Sequence, residues 1–211
     1  QPDEVIVGGN SSLNMMYYLI DLGWRLGFAD SPAAWNACGR PKFLCPAPGY
    51  DRHFRVTEYF GFELITVPML PTGPDMDCVE ALVKDEAVKG IWCVPLYSNP
   101  DGYSYSDETV RRLAAMETAA PDFKIMWDNA YCVHHLTDTH DVILNMLEEC
   151  RKARERAESR RQARRLAEEA RLRSLGRIAE GVAHEVNNPL NIIVQAAGLM
   201  GDSLDSPEAE A

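Results

Sequence analysis

Five short clusters in this 211-residue chain have residue types and spacings that could do chemistry. Gly8-Gly9-Asn10-Ser11-Ser12 sets small residues and backbone N–H groups where an apolar run gives way to a helical pattern, which suits a phosphate at a helix N-terminus. Pro48-Gly49-Tyr50-Asp51 puts an aromatic ring in a loop, and Ser98-Asn99-Pro100-Asp101-Gly102 puts an amide in a turn. Trp127-Asp128-Asn129-Ala130-Tyr131 places a carboxylate at the end of an apolar strand. In His184-Glu185-Val186-Asn187-Asn188-Pro189-Leu190, an imidazole has a carboxylate beside it that can polarise it or accept its proton. Asn188, four residues on, shares its helix face. Each cluster also has an ordinary reading. Strand-to-helix turns often resemble the first, Asn99 forms turns, Tyr50 fits a packed loop, Asp128 a helix cap, and a lone exposed histidine is usually solvated.

The elements that must position these residues come from periodicity. Val5–Gly9 reads as a buried strand, with Asn10 or Ser11 capping a helix whose apolar spacing runs through Leu13, Met16, Tyr17 and Ile20. Lys42–Cys45 is a strand leading through Pro46-Ala47-Pro48-Gly49 to a helix near His53–Phe60. Leu64–Pro68 and Gly90–Pro95 are further strands with an amphipathic helix Met76–Lys84 between them; Asp107–Thr118 is a helix and Lys124–Asp128 a strand. Strands alternating with helices predict an α/β fold with a parallel sheet covered on both faces. From Arg151 the text becomes one helical pattern. Leu172, Leu175, Ala179, Val182, Val186, Pro189, Ile193, Ala196 and Met200 recur in steps of three and four, a coiled-coil-like seam that needs a partner helix. On that seam His184 falls at the outermost position. The expected organisation is an α/β unit over 1–150, a basic helical connector over 151–171, a seam helix over 172–203 and a frayed tail over 204–211.

Charge supports a break near Lys152. Residues 1–150 carry 10 Lys/Arg against 22 Asp/Glu, whereas 151–211 carry 11 against 10, with every basic residue of that second part between Arg151 and Arg177. Glu155, Glu158, Glu168 and Glu169 interleave with those arginines, which favours a solvated helix over a nucleic-acid-binding arm. The six cysteines form no CxxC pair and match no zinc spacing, so no metal is expected. Scattered in apolar strings such as Ile91-Trp92-Cys93-Val94, they read as buried thiols of a reducing compartment. No stretch reaches the roughly 18 apolar residues of a membrane span, no signal peptide opens the chain, and Gln1 in place of Met suggests a cut start; the expected location is the cytoplasm.

Taken in order, the loops of the first half resemble the large domain of fold-type I pyridoxal-phosphate aminotransferases, of the aspartate-aminotransferase-like kind, over about residues 1–152. The resemblance implies that Gly9, Asn10 and Ser11 hold the cofactor phosphate and that Tyr50 stacks on the pyridine ring. It implies that Asn99 and Tyr131 hydrogen-bond the ring hydroxyl oxygen, and that Asp128 pairs with the pyridinium nitrogen. The family also needs a lysine that bonds the cofactor covalently, some tens of residues past Tyr131. The one lysine after Tyr131 is Lys152, and the expected distance instead holds Arg160-Arg161-Gln162-Ala163-Arg164-Arg165. Arginine stays protonated and cannot take that role. Cofactor binding is therefore expected to be weak or absent, and transamination absent.

Leu175-Gly176-Arg177-Ile178-Ala179-Glu180-Gly181-Val182-Ala183-His184-Glu185-Val186-Asn187-Asn188-Pro189-Leu190 resembles the phosphoacceptor box of sensor histidine kinases. The resemblance implies that His184 accepts the phosphoryl group, with Glu185 as its acid/base neighbour and Asn188 in support. It also implies homodimerisation through 172–200 and a kinase ATP-binding domain or response regulator as a separate partner. The chain thus reads as a chimera of an aminotransferase fragment and a kinase helix. The other readings are a two-component phosphoacceptor phosphorylated on His184 and a non-catalytic, self-associating fragment.

Overall fold

A computed structural model describes residues 5–135 and 138–204, and of residue 176 and residues 178–204 the backbone alone. Residues 1–154 form one compact unit and 155–211 belong to a second. In the first unit the order is α1 (Ser12–Arg25), a short 3-10 turn (Trp35–Ala37), β1 (Lys42–Ala47), α2 (Asp51–Tyr59), β2 (Glu63–Leu70), β3 (Gly73–Pro74), α3 (Met76–Leu82), β4 (Val88–Cys93), α4 (Asp107–Ala115) and β5 (Lys124–Trp127). The helix α5 (Met146–Leu204) then begins.

The sheet order is β3-β2-β1-β4-β5. β1 pairs in parallel with β2 and β4, and β4 with β5; β2 and the two-residue β3 are antiparallel, so the sheet is mixed rather than wholly parallel. Parallel neighbours need crossovers, and α2, α3 and α4 supply them. Alternation along the strands divides the core in two. Phe43, Cys45, Trp92 and Met126 pack with Met16, Ile20, Trp35, Val56 and Phe62. Leu44, Ile91 and Cys93 pack with Val79, Val83, Val110, Leu113 and Met146 on the other face. The expected two-sided cover is found. Gly90 sits where a Cβ would lie 2.5 Å from the Phe43 ring, so the β1–β4 contact admits no side chain there.

Caps place the helices on the second face. Asp75 accepts the N–H of Asp77 and Cys78 at the start of α3, and Ser106 accepts that of Thr109 at the start of α4. α4 ends at Ala115, earlier than the expected Thr118, because Met116 turns extended and Ala119 N–H donates to the Val83 carbonyl at 2.9 Å. α5 starts at Met146 rather than at Arg151, with the Asn145 side chain accepting the Glu148 N–H at 3.2 Å.

One expectation fails outright and another in part. Val5–Gly9 forms no strand: Ile6 and Val7 are 85% and 91% exposed. A buried strand needs a ladder as well as apolar side chains, and none of the five strands pairs with this run. Among the cysteines, Cys45 and Cys93 are buried but Cys132 is exposed, because it falls in the turn after β5 and not in a strand. Among the described residues no helix is long and apolar enough to cross a membrane, and no group of three or more His, Cys, Asp or Glu could hold a metal ion.

Candidate cofactor site

The chain runs from β1 outward to β2 and then returns to place β4 on the other side of β1. In open α/β sheets the crevice for a ligand opens at such a reversal, beyond the carboxyl ends of the strands. The loops after β1, β4 and β5 meet there.

After β1, Gly49 lies so close to the Pro46 carbonyl that a Cβ would be 2.3 Å from its oxygen. This close approach brings Tyr50, the residue before α2, over the sheet end with its ring 5.0 Å from His53 and perpendicular to it. His53 is 1% exposed and stacks on Trp92 of β4, with ring centroids 4.5 Å apart and 13° between planes. Its Nε2 lies 3.0 Å from Oδ2 of Asp128, whose side chain is 14% exposed. Asp128 itself continues the β5 ladder, its N–H donating to the Cys93 carbonyl at 2.8 Å. Asn99, exposed in the loop after β4, donates from Nδ2 to the Tyr131 hydroxyl at 3.4 Å.

Together with His53 and Trp92, the residues named from sequence fall into linked groups. Tyr50, His53, Trp92 and Asn99 surround one narrow hollow. Asp128 lines an adjoining cavity of about 240 Å³ together with Trp92 and Ser12, the first residue of α1. Gly9, Asn10 and Ser11 lead into that helix; Ser11 is its N-cap yet makes no side-chain capping bond, and a Cβ on Gly9 would meet nothing within 4 Å. Hollows of about 370 and 540 Å³ elsewhere are lined by none of these residues. His184, Glu185 and Asn188 lie on α5, and their side chains fall outside the described residues.

His53 and Trp92 were missed from sequence. The available signal was the i, i+3, i+4 register of His53, Val56 and Thr57, which marks His53 as a buried position of α2.

The family model for aspartate amino-transferase matches residues 1–163. The chain belongs to the aspartate aminotransferase family. An aspartate aminotransferase of Corynebacterium glutamicum is 50% identical over 145 residues, 69% of this chain and 34% of that protein. The solved structure of an aspartate transaminase from the same organism superposes with a TM-score of 0.68 at 50% identity, over 69% of this chain and 34% of that one. At 22% identity, the alpha-aminoadipate aminotransferase of Thermus thermophilus, solved with N-(5'-phosphopyridoxyl)-L-leucine, shares the fold with a TM-score of 0.52 over 68% of this chain and 33% of that one. The chain spans about a third of the length of the curated aspartate aminotransferase it matches. The family match ends at residue 163, inside α5 and short of His184.

The donor set suits the cofactor of this family. Asp128 offers a largely buried carboxylate whose Oδ1 has no hydrogen-bond partner among the described residues, and Ser12, the first residue of α1, lines the same cavity, where a helix N-terminus offers donors to an anion.

Proposed function

We propose that the first unit is the cofactor-holding part of an amino-acid aminotransferase and that it binds pyridoxal phosphate without bonding it covalently. The observation that carries this reading is the half-buried Asp128 carboxylate, steadied by His53 and facing the same cavity as Ser12. Gly9, Asn10 and Ser11 would take the phosphate at the α1 N-terminus. Tyr50 would cover the ring, while Asn99 and Tyr131, already 3.4 Å apart, would share its hydroxyl oxygen. Asp128 would keep the ring nitrogen protonated, and His53 would hold that carboxylate in place. Bound there, the cofactor supplies an electron sink.

The test is a titration of pyridoxal phosphate followed by absorbance. Binding is expected with the spectrum of the free aldehyde, and Asp128→Ala should weaken it about 10- to 100-fold, the worth of a hydrogen bond between charged groups. Borohydride reduction followed by mass spectrometry should leave no adduct on Lys152. Equal binding by wild type and Asp128→Ala, or a stoichiometric adduct on Lys152, would overturn the reading.

For α5 we propose a second role, dimerisation and phosphoacceptance at His184. Two observations favour it: the phosphoacceptor-like text lies wholly within one helix, and Leu172 and Leu175 of its seam are 59% and 53% exposed. An apolar stripe of that length is an association site. Sedimentation should find a concentration-dependent dimer at tens of micromolar. Val182→Asp with Val186→Asp should abolish it, and His184→Ala should leave it intact while removing labelling by a separately supplied kinase domain and ATP. A monomer throughout, or equal disruption by His184→Ala, would mean that the seam is assigned to the wrong face.

A further inference from the structure

β5 is the last strand of the sheet, and no strand among the described residues pairs with its outer side. One bond fixes which groups face that side: the Asp128 N–H donates to the Cys93 carbonyl of β4 at 2.8 Å. Backbone groups alternate in direction along a strand. Lys124, Met126 and Asp128 therefore turn theirs toward β4, and Ile125 and Trp127 turn theirs outward. Among the described residues nothing hydrogen-bonds to those outward groups. Unpaired N–H and C=O groups along a sheet edge are a template for another strand. The flanks of this edge are apolar as well. On one face Ile125 and Trp127 line a hollow of about 540 Å³ together with Met146, Cys150 and the exposed Leu147. On the other, Met126 lines the smaller cavity beside Asp128.

We propose that this edge is a self-association site, at which β5 pairs antiparallel with β5 of a second copy in a register centred on Met126. The segment Lys124-Ile125-Met126-Trp127-Asp128 is complementary to its own reversal. Across a two-fold axis each residue meets its mirror position in the segment. Lys124 then faces Asp128 of the other copy, Ile125 faces Trp127, and Met126 meets its counterpart. Ile125 and Trp127 are the outward-turned residues, so each such couple can exchange both of its N–H···O bonds. Lys124 and Asp128 fall at the non-hydrogen-bonded positions, where facing Cα atoms are about 4.5 Å apart, and their charges are opposite. The Lys124 ammonium, 2.8 Å from Asp30, has donors for a second carboxylate, and the Asp128–His53 bond stays in place. The aliphatic–aromatic couples cover the larger hollow of both copies. A shift by two residues in either direction loses the charge pairing and sets Ile125 or Trp127 against itself, so charge selects the register. The pairing involves the sheet edge alone and holds whether or not the adjoining cavity is filled.

The test uses the full chain carrying Val182→Asp and Val186→Asp, which disarm the α5 seam. Sedimentation from about 1 to about 100 micromolar is expected to show a mass rising toward twice that of the monomer. Over the same range the Ile125 and Trp127 amides, followed by hydrogen exchange in NMR spectra, should slow at least about ten-fold. The Met126 amide, already bonded to β4, should not change. Lys124→Glu sets like charges opposite each other at both ends of the pairing and should weaken association about ten-fold. Ile125→Pro deletes an outward donor, a change that edge strands tolerate, and should abolish association while β4 amides stay protected. A monomer throughout, or a dimer unaffected by Lys124→Glu, would overturn the pairing. So would outward amides protected equally at every concentration, because a segment of the same chain would then cover the edge.

Discussion

Asp122→Ala is expected to cost about 3–5 kcal/mol of stability, enough to leave the first unit marginal at room temperature. Asp122 is fully buried, and its two oxygens serve different partners: Oδ1 takes the Lys89 ammonium at 3.1 Å and Oδ2 the Trp35 indole N–H at 2.8 Å. Lys89 is 2% exposed and Trp35 fully buried, so the alanine would strand a charge and a donor in the core together. The three residues come from the 3-10 turn after α1, the start of β4 and the segment before β5, which makes the triad a fastening between distant parts of the chain. Urea unfolding should show a lower midpoint with an unchanged slope. Replacing the pair by Lys89→Met with Asp122→Leu should recover most of the loss, leaving the unpaired indole N–H at about 1–3 kcal/mol. A single variant within 1 kcal/mol of wild type would refute the fastening.

The same triad sets a pH dependence. Burial, the largest influence on the Asp122 carboxyl, pushes its pKa up, but the hydrogen bonds from Lys89, Ser31 and Trp35 and the Lys89 charge outweigh it and hold the group below the usual carboxylate range. A depressed folded value means that the stabilisation is complete above the unfolded carboxyl's pKa of about 3.9 and is lost as pH falls through the lower folded value. Asp122→Asn should flatten that acid limb.

The triad also marks where sequence reading lost accuracy. The apolar run at Gly90 reads as a strand beginning after Lys89, because a lysine looks like a boundary. β4 in fact begins at Val88, with Lys89 inside it, since Asp122 from 33 residues away neutralises the charge. The other strands that build the sheet were legible because each is a bounded apolar run, and the helices between them because their spacing is regular. β3 was not legible: two residues carry no periodicity, and Gly73-Pro74 pairs only because the turn after β2 folds it back. The run at Val5–Val7 erred in the other direction, since its composition says strand while nothing in the composition tells whether a neighbouring edge exists.

In the site, Tyr50, Asn99, Asp128 and Tyr131 could be named because their loops, taken together and in order, carry the family resemblance; alone, each loop at a strand end reads equally as a turn, a packed aromatic or a helix cap. The residue that steadies Asp128 could not be named in the same way. His53 is part of a helix and 75 residues from its partner, so its sequence neighbours account for it as a buried helical position without any reference to Asp128. Trp92 is similar: within a buried strand its indole reads as packing, and only the stack with His53 shows that it forms a wall of both hollows.

The 211-residue polypeptide is expected to show no transamination of aspartate or alanine in a coupled assay with pyridoxal phosphate in excess. The reaction needs an amine that can bond the cofactor and then move a proton. The chain offers one lysine past Tyr131, Lys152. That lysine lies on α5, where its ammonium is paired with Glu148 at 2.7 Å and Glu149 at 3.0 Å. Hydrogen bonds to Glu148 and then Glu149 raise its pKa, keeping the nitrogen protonated, and a protonated amine is no nucleophile. The arginines that follow remain charged at any workable pH. Loss of the nucleophile and of general acid–base transfer together should lower the rate by at least about 10⁴-fold from the 1–1000 per second of working enzymes. Turnover within that range would refute this reading of the chain. Lys152→Ala would then decide the cause: its loss of activity would make Lys152 the amine despite its ion pairs, and its full activity would mean that the amine lies among the lysines before Tyr131.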